Sequence, residues 1–313
     1  MPLDPGIAAL LAKGAGLAPL QTLSVAEARA RYESRGRPAA AEVAGVSERV
    51  IAGPGGDLRL RVYAPFGPGP HPLLVFFHGS GFVLCSLDTH DGMCRNLCAG
   101  AGCVVLSVDY RLAPEAQFPA ATEDCLFATR WAAAHAAEFG ADTGRIVIGG
   151  DSAGGNLAAV TALRLRDEGG PALRGQLLIY PITDYPVPAT ASMLGNAEGY
   201  GLTREAVTWF WSHYLGPSGD GAHPYAAPLR ASDLGRLPPA LIVTAEFDPL
   251  RDEGEAYGAR LEAAGVPARV MRWLGMNHGF LGWVGWIGGA GAGMEAVCAW
   301  LRAGQGLVNE TAL

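Results

Sequence analysis

Two kinds of apolar spacing divide the chain. Between Val46–Ile51 and Leu58–Tyr63 lies the turn sequence Gly53-Pro54-Gly55-Gly56. The second run alternates, with Leu58, Leu60 and Val62 on one face and Arg59 and Arg61 on the other. A period of two with one polar face predicts an antiparallel hairpin whose second face meets water. After the Pro/Gly connector Pro65–Pro72 the alternation stops. Leu73–Phe77, Cys103–Val108, Ile146–Ile148, Leu177–Tyr180, Leu241–Thr244 and Val270–Trp273 are short, continuously apolar runs. Helix-length segments separate them near 89–100, 120–139, 154–168, 251–264 and 291–303. Strands buried on both faces read this way, because helices cover both sides of a parallel sheet. The pattern predicts a mostly parallel α/β sheet with an antiparallel start.

Two segments stand outside the alternation. Residues 1–44 precede the first strand and read as helical. Residues 185–235 follow Tyr180-Pro181 and carry Trp209, Phe210, Trp211 and Tyr214 at helical spacing. An insertion there is expected to cover one end of the sheet as a lid, with most of these aromatics forming its own core.

Composition narrows the class. Half of the 313 residues are hydrophobic and 17% are charged, which excludes a disordered chain. Net charge is −7, and among 23 basic residues only Lys13 is a lysine. Such a surface repels phosphate backbones and anionic membranes, so neither nucleic acid nor a membrane is expected as a partner. The six cysteines form no C-x-x-C pair and are expected to be buried, reduced thiols, which points to the cytoplasm. The start of the chain, with Asp4 and no early positive charge, does not read as a secretory signal. The uncharged stretch Trp273–Met294 contains eight glycines, Asn277 and His278. It is expected to be loop and turn, not a membrane span. Neither H-E-x-x-H nor a P-loop occurs, so no metal or cofactor is expected.

The sharpest chemical signal is Gly150-Asp151-Ser152-Ala153-Gly154, between a predicted strand and a predicted helix. In that context G-x-S-x-G marks a nucleophile on a tight turn, flanked by glycines because side chains there would collide with neighbouring elements. An ordinary helix N-cap serine is the bland alternative. The strand Leu73–Phe77 runs into His78-Gly79-Ser80-Gly81-Phe82, a turn able to present backbone N–H groups to a developing oxyanion. The expected donors are the amides of Ser80, Gly81 and Ala153, with His78 as a brace. Of seven histidines, His278 follows the last apolar run and suits a general base. His135 is expected on a mid-helix surface, and His213 and His223 in the lid. Asp248, at the end of Leu241–Thr244, suits the acid that orients the base, and Asp252 is its rival as a first-turn helix residue. The chain order Ser152, Asp248, His278 is that of the α/β-hydrolases.

From about residue 58 to 303 the sequence resembles the hormone-sensitive-lipase-like family of α/β-hydrolase carboxylesterases, in its bacterial G-D-S-A-G branch. The resemblance rests on His78–Phe82, Asp109-Tyr110-Arg111-Leu112-Ala113-Pro114-Glu115, Phe118-Pro119-Ala120-Ala121, Gly150–Asn156, Asp248–Gly254 and His278-Gly279-Phe280. It implies an α/β-hydrolase fold with an eight-stranded core and a helical cap. Residues 1–44 and 185–235 would form the cap; 45–184 and 236–313 would form the two parts of the core. It also implies hydrolysis of short-acyl esters, with a small-molecule ester as partner, without a cofactor, by a monomer or homodimer. One departure concerns the oxyanion loop, usually H-G-G-G, where Ser80 replaces the middle glycine. Phe82, Trp209 and Trp283 are expected as apolar pocket walls. Two rival readings keep the same sequence features: a lactone, amide or carbamate hydrolase, and a non-catalytic small-molecule receptor.

Overall fold

The computed structural model describes residues 1–217 and 219–304. Its strands are β1 (Gly45–Gly53), β2 (Gly56–Ala64), β3 (His71–Phe77), β4 (Val104–Val108), β5 (Ala141–Asp151), β6 (Gly175–Ile179), β7 (Ala240–Phe247) and β8 (Ala268–Asn277). All eight form one sheet in the order β1-β2-β4-β3-β5-β6-β7-β8. The pairs β1–β2 and β2–β4 are antiparallel and the remaining pairs are parallel. Among the described residues the helices are α1 (Pro5–Lys13), α2 (Val25–Glu33), α3 (Asp91–Ala101), α4 (Ala120–His135), α5 (Ala153–Glu168), α6 (Ala191–Gly195), α7 (Arg204–Leu215), α8 (Arg251–Ala263) and α9 (Gly288–Arg302).

Continuous apolar runs become strands here because each face of the sheet has its own helical cover. Leu73, Val75 and Phe77 of β3 enter one apolar cluster, shared with α4, α5 and α8. Leu74 and Phe76, pointing the other way, enter a second cluster with α3 and α9. Successive side chains alternate across the sheet, so a strand covered on both sides carries apolar residues at every position.

The hairpin departs from expectation on one face. Leu58, Leu60 and Val62 are buried as the alternation predicts. Arg61, on the opposite face, is also largely covered, its side chain 11% exposed between Glu48 at 2.6 Å and Asp88 at 2.7 Å. Carboxylates from β1 and from the loop before α3 converge on it, so an ion-pair network stands where open water was expected.

Two other differences have packing causes. The glycine-rich run expected as loop and turn enters α9 three residues before the expected start, at Gly288. A Cβ at Gly293 would stand 2.8 Å from Leu281 and 2.9 Å from Phe280. The glycines therefore let the loop after β8 lie directly on this helix. No helix among the described residues is long and apolar enough to cross a membrane. The aromatic run of α7 does not form a separate core. Trp211 and Tyr214, three residues apart on one helical face, join the main cluster, where Tyr214 stacks on Phe82 with centroids 3.8 Å apart. Phe210 instead meets Ala28 of α2, together with Val83 and Leu84. Helix α1 sits apart from both, with Ile7 in the second cluster. All six cysteines are free and buried.

Candidate active site

Strand β5 ends at Asp151 and helix α5 begins at Ala153, leaving Ser152 alone in the bend with φ 56° and ψ −118°. Positive φ at a residue with a side chain costs about 1–3 kcal/mol and persists only where the surroundings enforce it. The enforcement is visible: a Cβ on Gly150 would strike the Gly154 backbone and Phe77 O, and one on Gly154 would strike Phe77 O. Strand β3 and helix α5 approach so closely that only glycine fits. The Ser152 amide donates to Ile179 O at 2.8 Å, tying the bend to β6.

His278 follows the last residue of β8. Its Nε2 lies 3.0 Å from Ser152 Oγ and its Nδ1 lies 2.8 Å from Asp248 Oδ2. Asp248 is fully buried. Its other oxygen accepts the Leu250 amide at 2.8 Å, which fixes the carboxylate plane. The three groups come from turns after β5, β7 and β8, at the carboxyl edge of the sheet. With a proton on Nδ1 donated to Asp248, Nε2 is free to take the hydroxyl proton of Ser152. Asp252 is engaged elsewhere. It lies in the first turn of α8, accepting the Ser192 amide at 2.7 Å and Arg251 Nε at 2.9 Å.

The other histidines are placed away from this relay. His78 is fully buried beneath the loop it precedes, and Tyr110 Oη donates to its carbonyl at 2.7 Å. Burial, helped by the neighbouring His90, pulls its pKa down to about 4, so it is neutral. His135 is half-buried at the end of α4, stacked on Trp131, and not on a mid-helix surface. His213 packs on Trp209 and His223 on Phe118.

The loop after β3 has three successive residues in the left-handed region: Ser80 at φ 85°, Gly81 at 65° and Phe82 at 66°. The amides of Val83 and Leu84 turn back onto Ser80 O at 3.3 and 3.1 Å. Among the described residues no acceptor satisfies the Ser80 and Gly81 amides. Ala153 opens α5, where the first amides also lack helical partners and the helix dipole is positive.

Two supporting residues had little signal in the sequence. Asp151 Oδ1 accepts the Gly79 amide at 2.9 Å and lies 3.3 Å from His90 Nε2. Burial raises the pKa of Asp151, but His90, by charge and hydrogen bond, and then His78 and His278 outweigh it, and the net shift is downward. An anionic Asp151 thus braces the loop from below. It occupies a variable position of G-x-S-x-G, and His90 was one of several histidines without a motif. Only their meeting in space reveals them.

A cavity of about 860 Å³, counting its open mouth, adjoins the relay. Ser80, His90, Asp151, Tyr180, Trp283 and Arg37 line it. Phe82 and Trp209, expected as walls, do not line it. Phe82 is fully buried under Tyr214, and Trp209 packs beside Phe210 and His213. The main core buries Phe82 completely, while Trp209 is half-buried against the α2–α7 contact. Among the described residues no group of three His, Cys, Asp or Glu side chains is arranged to hold a metal ion.

An eight-stranded, mostly parallel sheet carrying a serine elbow and a Ser–His–Asp chain at its carboxyl edge defines the α/β-hydrolase class. The chain belongs to the α/β-hydrolase fold family: the family model matches residues 74–282. It is 49% identical over 265 residues to the carboxylic ester hydrolase LipN of Mycobacterium tuberculosis, spanning 82% of this chain and 70% of that one. It is 36% identical over 301 residues to an ethyl acetate hydrolase of Pseudomonas putida, spanning 90% and 92%. Among solved structures, a hyperthermophilic esterase from the archaeon Pyrobaculum calidifontis superposes with a TM-score of 0.92 at 39% identity. That superposition covers 97% of this chain and 99% of the other.

Proposed function

We propose that this protein is a serine carboxylesterase that hydrolyses short-acyl esters through an acyl-enzyme. The observation that carries the reading is the continuous relay from Ser152 Oγ to His278 Nε2 at 3.0 Å and from His278 Nδ1 to Asp248 at 2.8 Å. Relatives named as carboxylic ester and ethyl acetate hydrolases support the substrate class. In this mechanism Ser152 Oγ attacks the ester carbonyl carbon while His278 takes its proton. The amides of Ser80, Gly81 and Ala153 stabilise the oxyanion. Collapse breaks the bond to the alkoxy oxygen, and His278 returns the proton to the departing alcohol. Water then attacks the acyl carbonyl by the same route, releasing the acid and restoring the serine. Asp248 holds the imidazole tautomer and stabilises the imidazolium.

In the same reading, α2 and α7 act together as a cap over the cavity. All three relay groups come from one chain, so a monomer or a homodimer would serve equally. The six buried free thiols suit a reducing compartment, and we place the activity in the cytoplasm.

Initial rates on p-nitrophenyl esters from acetate to laurate, for wild type and Ser152→Ala, test the proposal. The expected maximum lies between acetate and hexanoate, and Ser152→Ala should lose at least about 10⁴-fold in kcat. A maximum at laurate would overturn the short-acyl assignment. A wild-type serine inert towards both esters and a fluorophosphonate probe would overturn catalysis and favour a receptor.

A further inference from the structure

Two residues with side chains stand at left-handed backbone positions on opposite sides of one short turn, and they touch. Ser80 has φ 85° and Cys85 has φ 70°. Glycine is the residue that such angles favour. The Cys85 thiol donates to Ser80 Oγ at 2.8 Å, and both side chains line the cavity beside the relay. Burial raises the thiol pKa to about 11, so the sulfur keeps its proton and remains a donor. The Ser80 carbonyl is already held by the amides of Val83 and Leu84. The bond to Cys85 adds the side-chain anchor, leaving the Ser80 peptide little freedom to rotate.

We propose that Cys85 is a positioning residue for ester hydrolysis, holding the Ser80 and Gly81 amides towards the oxyanion through its bond to Ser80 Oγ. The inference rests on the oxyanion role assigned to those amides. Cys85 touches no reacting atom; it acts on the loop that does. A serine in the oxyanion loop thereby becomes part of a pair, in which the second side chain restores the order that the first one's strain would loosen.

A double-mutant cycle with a p-nitrophenyl ester and a trifluoromethyl ketone transition-state analogue tests the coupling. Alanine at position 85 suffers the same left-handed strain as cysteine, so Cys85→Ala isolates the thiol. It should lower kcat about three- to ten-fold, the effect of one modest hydrogen bond, with KM nearly unchanged. Affinity for the ketone should fall by the same factor. Cys85→Ser, which keeps a donor, should stay close to wild type. In a Ser80→Gly background, Cys85→Ala should change nothing. Should Cys85→Ala fail to fold, Ser80→Ala removes the acceptor at unchanged strain and should show the same loss in kcat and ketone affinity. Equal losses from Cys85→Ala in both backgrounds, or no loss in wild type, would remove the role of Cys85 while leaving the esterase assignment intact. Absence of Ser152-dependent turnover in the wild type would instead remove the assignment itself.

Discussion

At Ser152 the chain accepts an unfavourable φ because three elements meet there: the end of β5, the start of α5 and the backbone of β3 at Phe77. The strain raises the hydroxyl clear of its own helix and aims it at His278. Asp248 acts at one remove, through the ring nitrogen it faces. Asp248→Asn preserves shape and packing but favours the wrong imidazole tautomer. It should lower kcat about 10⁴-fold with a much smaller change in KM. Steady-state kinetics with a short-chain ester would check this; a loss confined to KM would assign Asp248 to binding instead. The sequence offered both Asp248 and Asp252 within one turn of chain. What separates them is direction: Asp252 points to the N-terminus of α6, and Asp248 points to His278.

Among elements, α2 matters beyond its nine residues. A capping box of Ser24 and Glu27 starts it, and Arg29 ties it to the core. Arg29 donates to Val83 O at 2.9 Å and Ala113 O at 3.0 Å and pairs with Glu115 at 2.7 Å. Val83 follows directly on Phe82 in the glycine-rich loop after β3, so this guanidinium links the N-terminal segment to the site. Arg29→Ala should destabilise the protein by about 1–2 kcal/mol, since part of the network faces solvent and the carbonyls can rebind water. It should also raise KM more than it lowers kcat, because α2 contributes Tyr32 to the cavity wall and none of the Ser152, Asp248 and His278 groups. Thermal melts together with kinetics would show this, and an unchanged KM would detach α2 from substrate binding. Chain order places α2 and α7 about 180 residues apart, which is why the sequence reads both segments as helical but not their contact at Ala28 and Phe210.

For the molecule as a whole, Glu253 links acidity to stability. It is fully enclosed and accepts the amides of Thr183 and Asp184 at 2.8 and 3.2 Å. Burial drives its pKa up to about 8, even though those amides favour the anion. A carboxyl raised above its unfolded value near 4.5 holds a proton in the folded state that the unfolded chain has lost. Its contribution is therefore complete below about pH 4.5 and is lost progressively as pH rises from there to about 8. Glu253→Gln keeps an acceptor for both amides and cannot ionise. Melting curves between pH 5 and 9 should show the wild type losing stability relative to this variant as pH rises. Parallel curves would mean that the carboxyl does not titrate in this range.

Local order was legible in the residues because it depends on near neighbours. Apolar spacing marked all eight strands, the glycines around Ser152 marked the elbow, and the order of three motifs picked out Ser152, Asp248 and His278, which the fold brings together. Which faces stay dry was not legible, because that depends on what arrives from elsewhere. Arg61 is covered by acids from two other elements, and Phe82 and Trp211 sink into the core, so of the three expected wall residues Trp283 alone lines the cavity. The pairs Asp151–His90 and Ser80–Cys85 likewise carry no linear signature, since each is created by a turn angle and not by composition. Sequence determined the sheet and the reacting groups through local backbone preference. Tertiary structure alone decided how those groups are braced and enclosed, because burial and hydrogen bonding belong to distances between segments that the chain order leaves open.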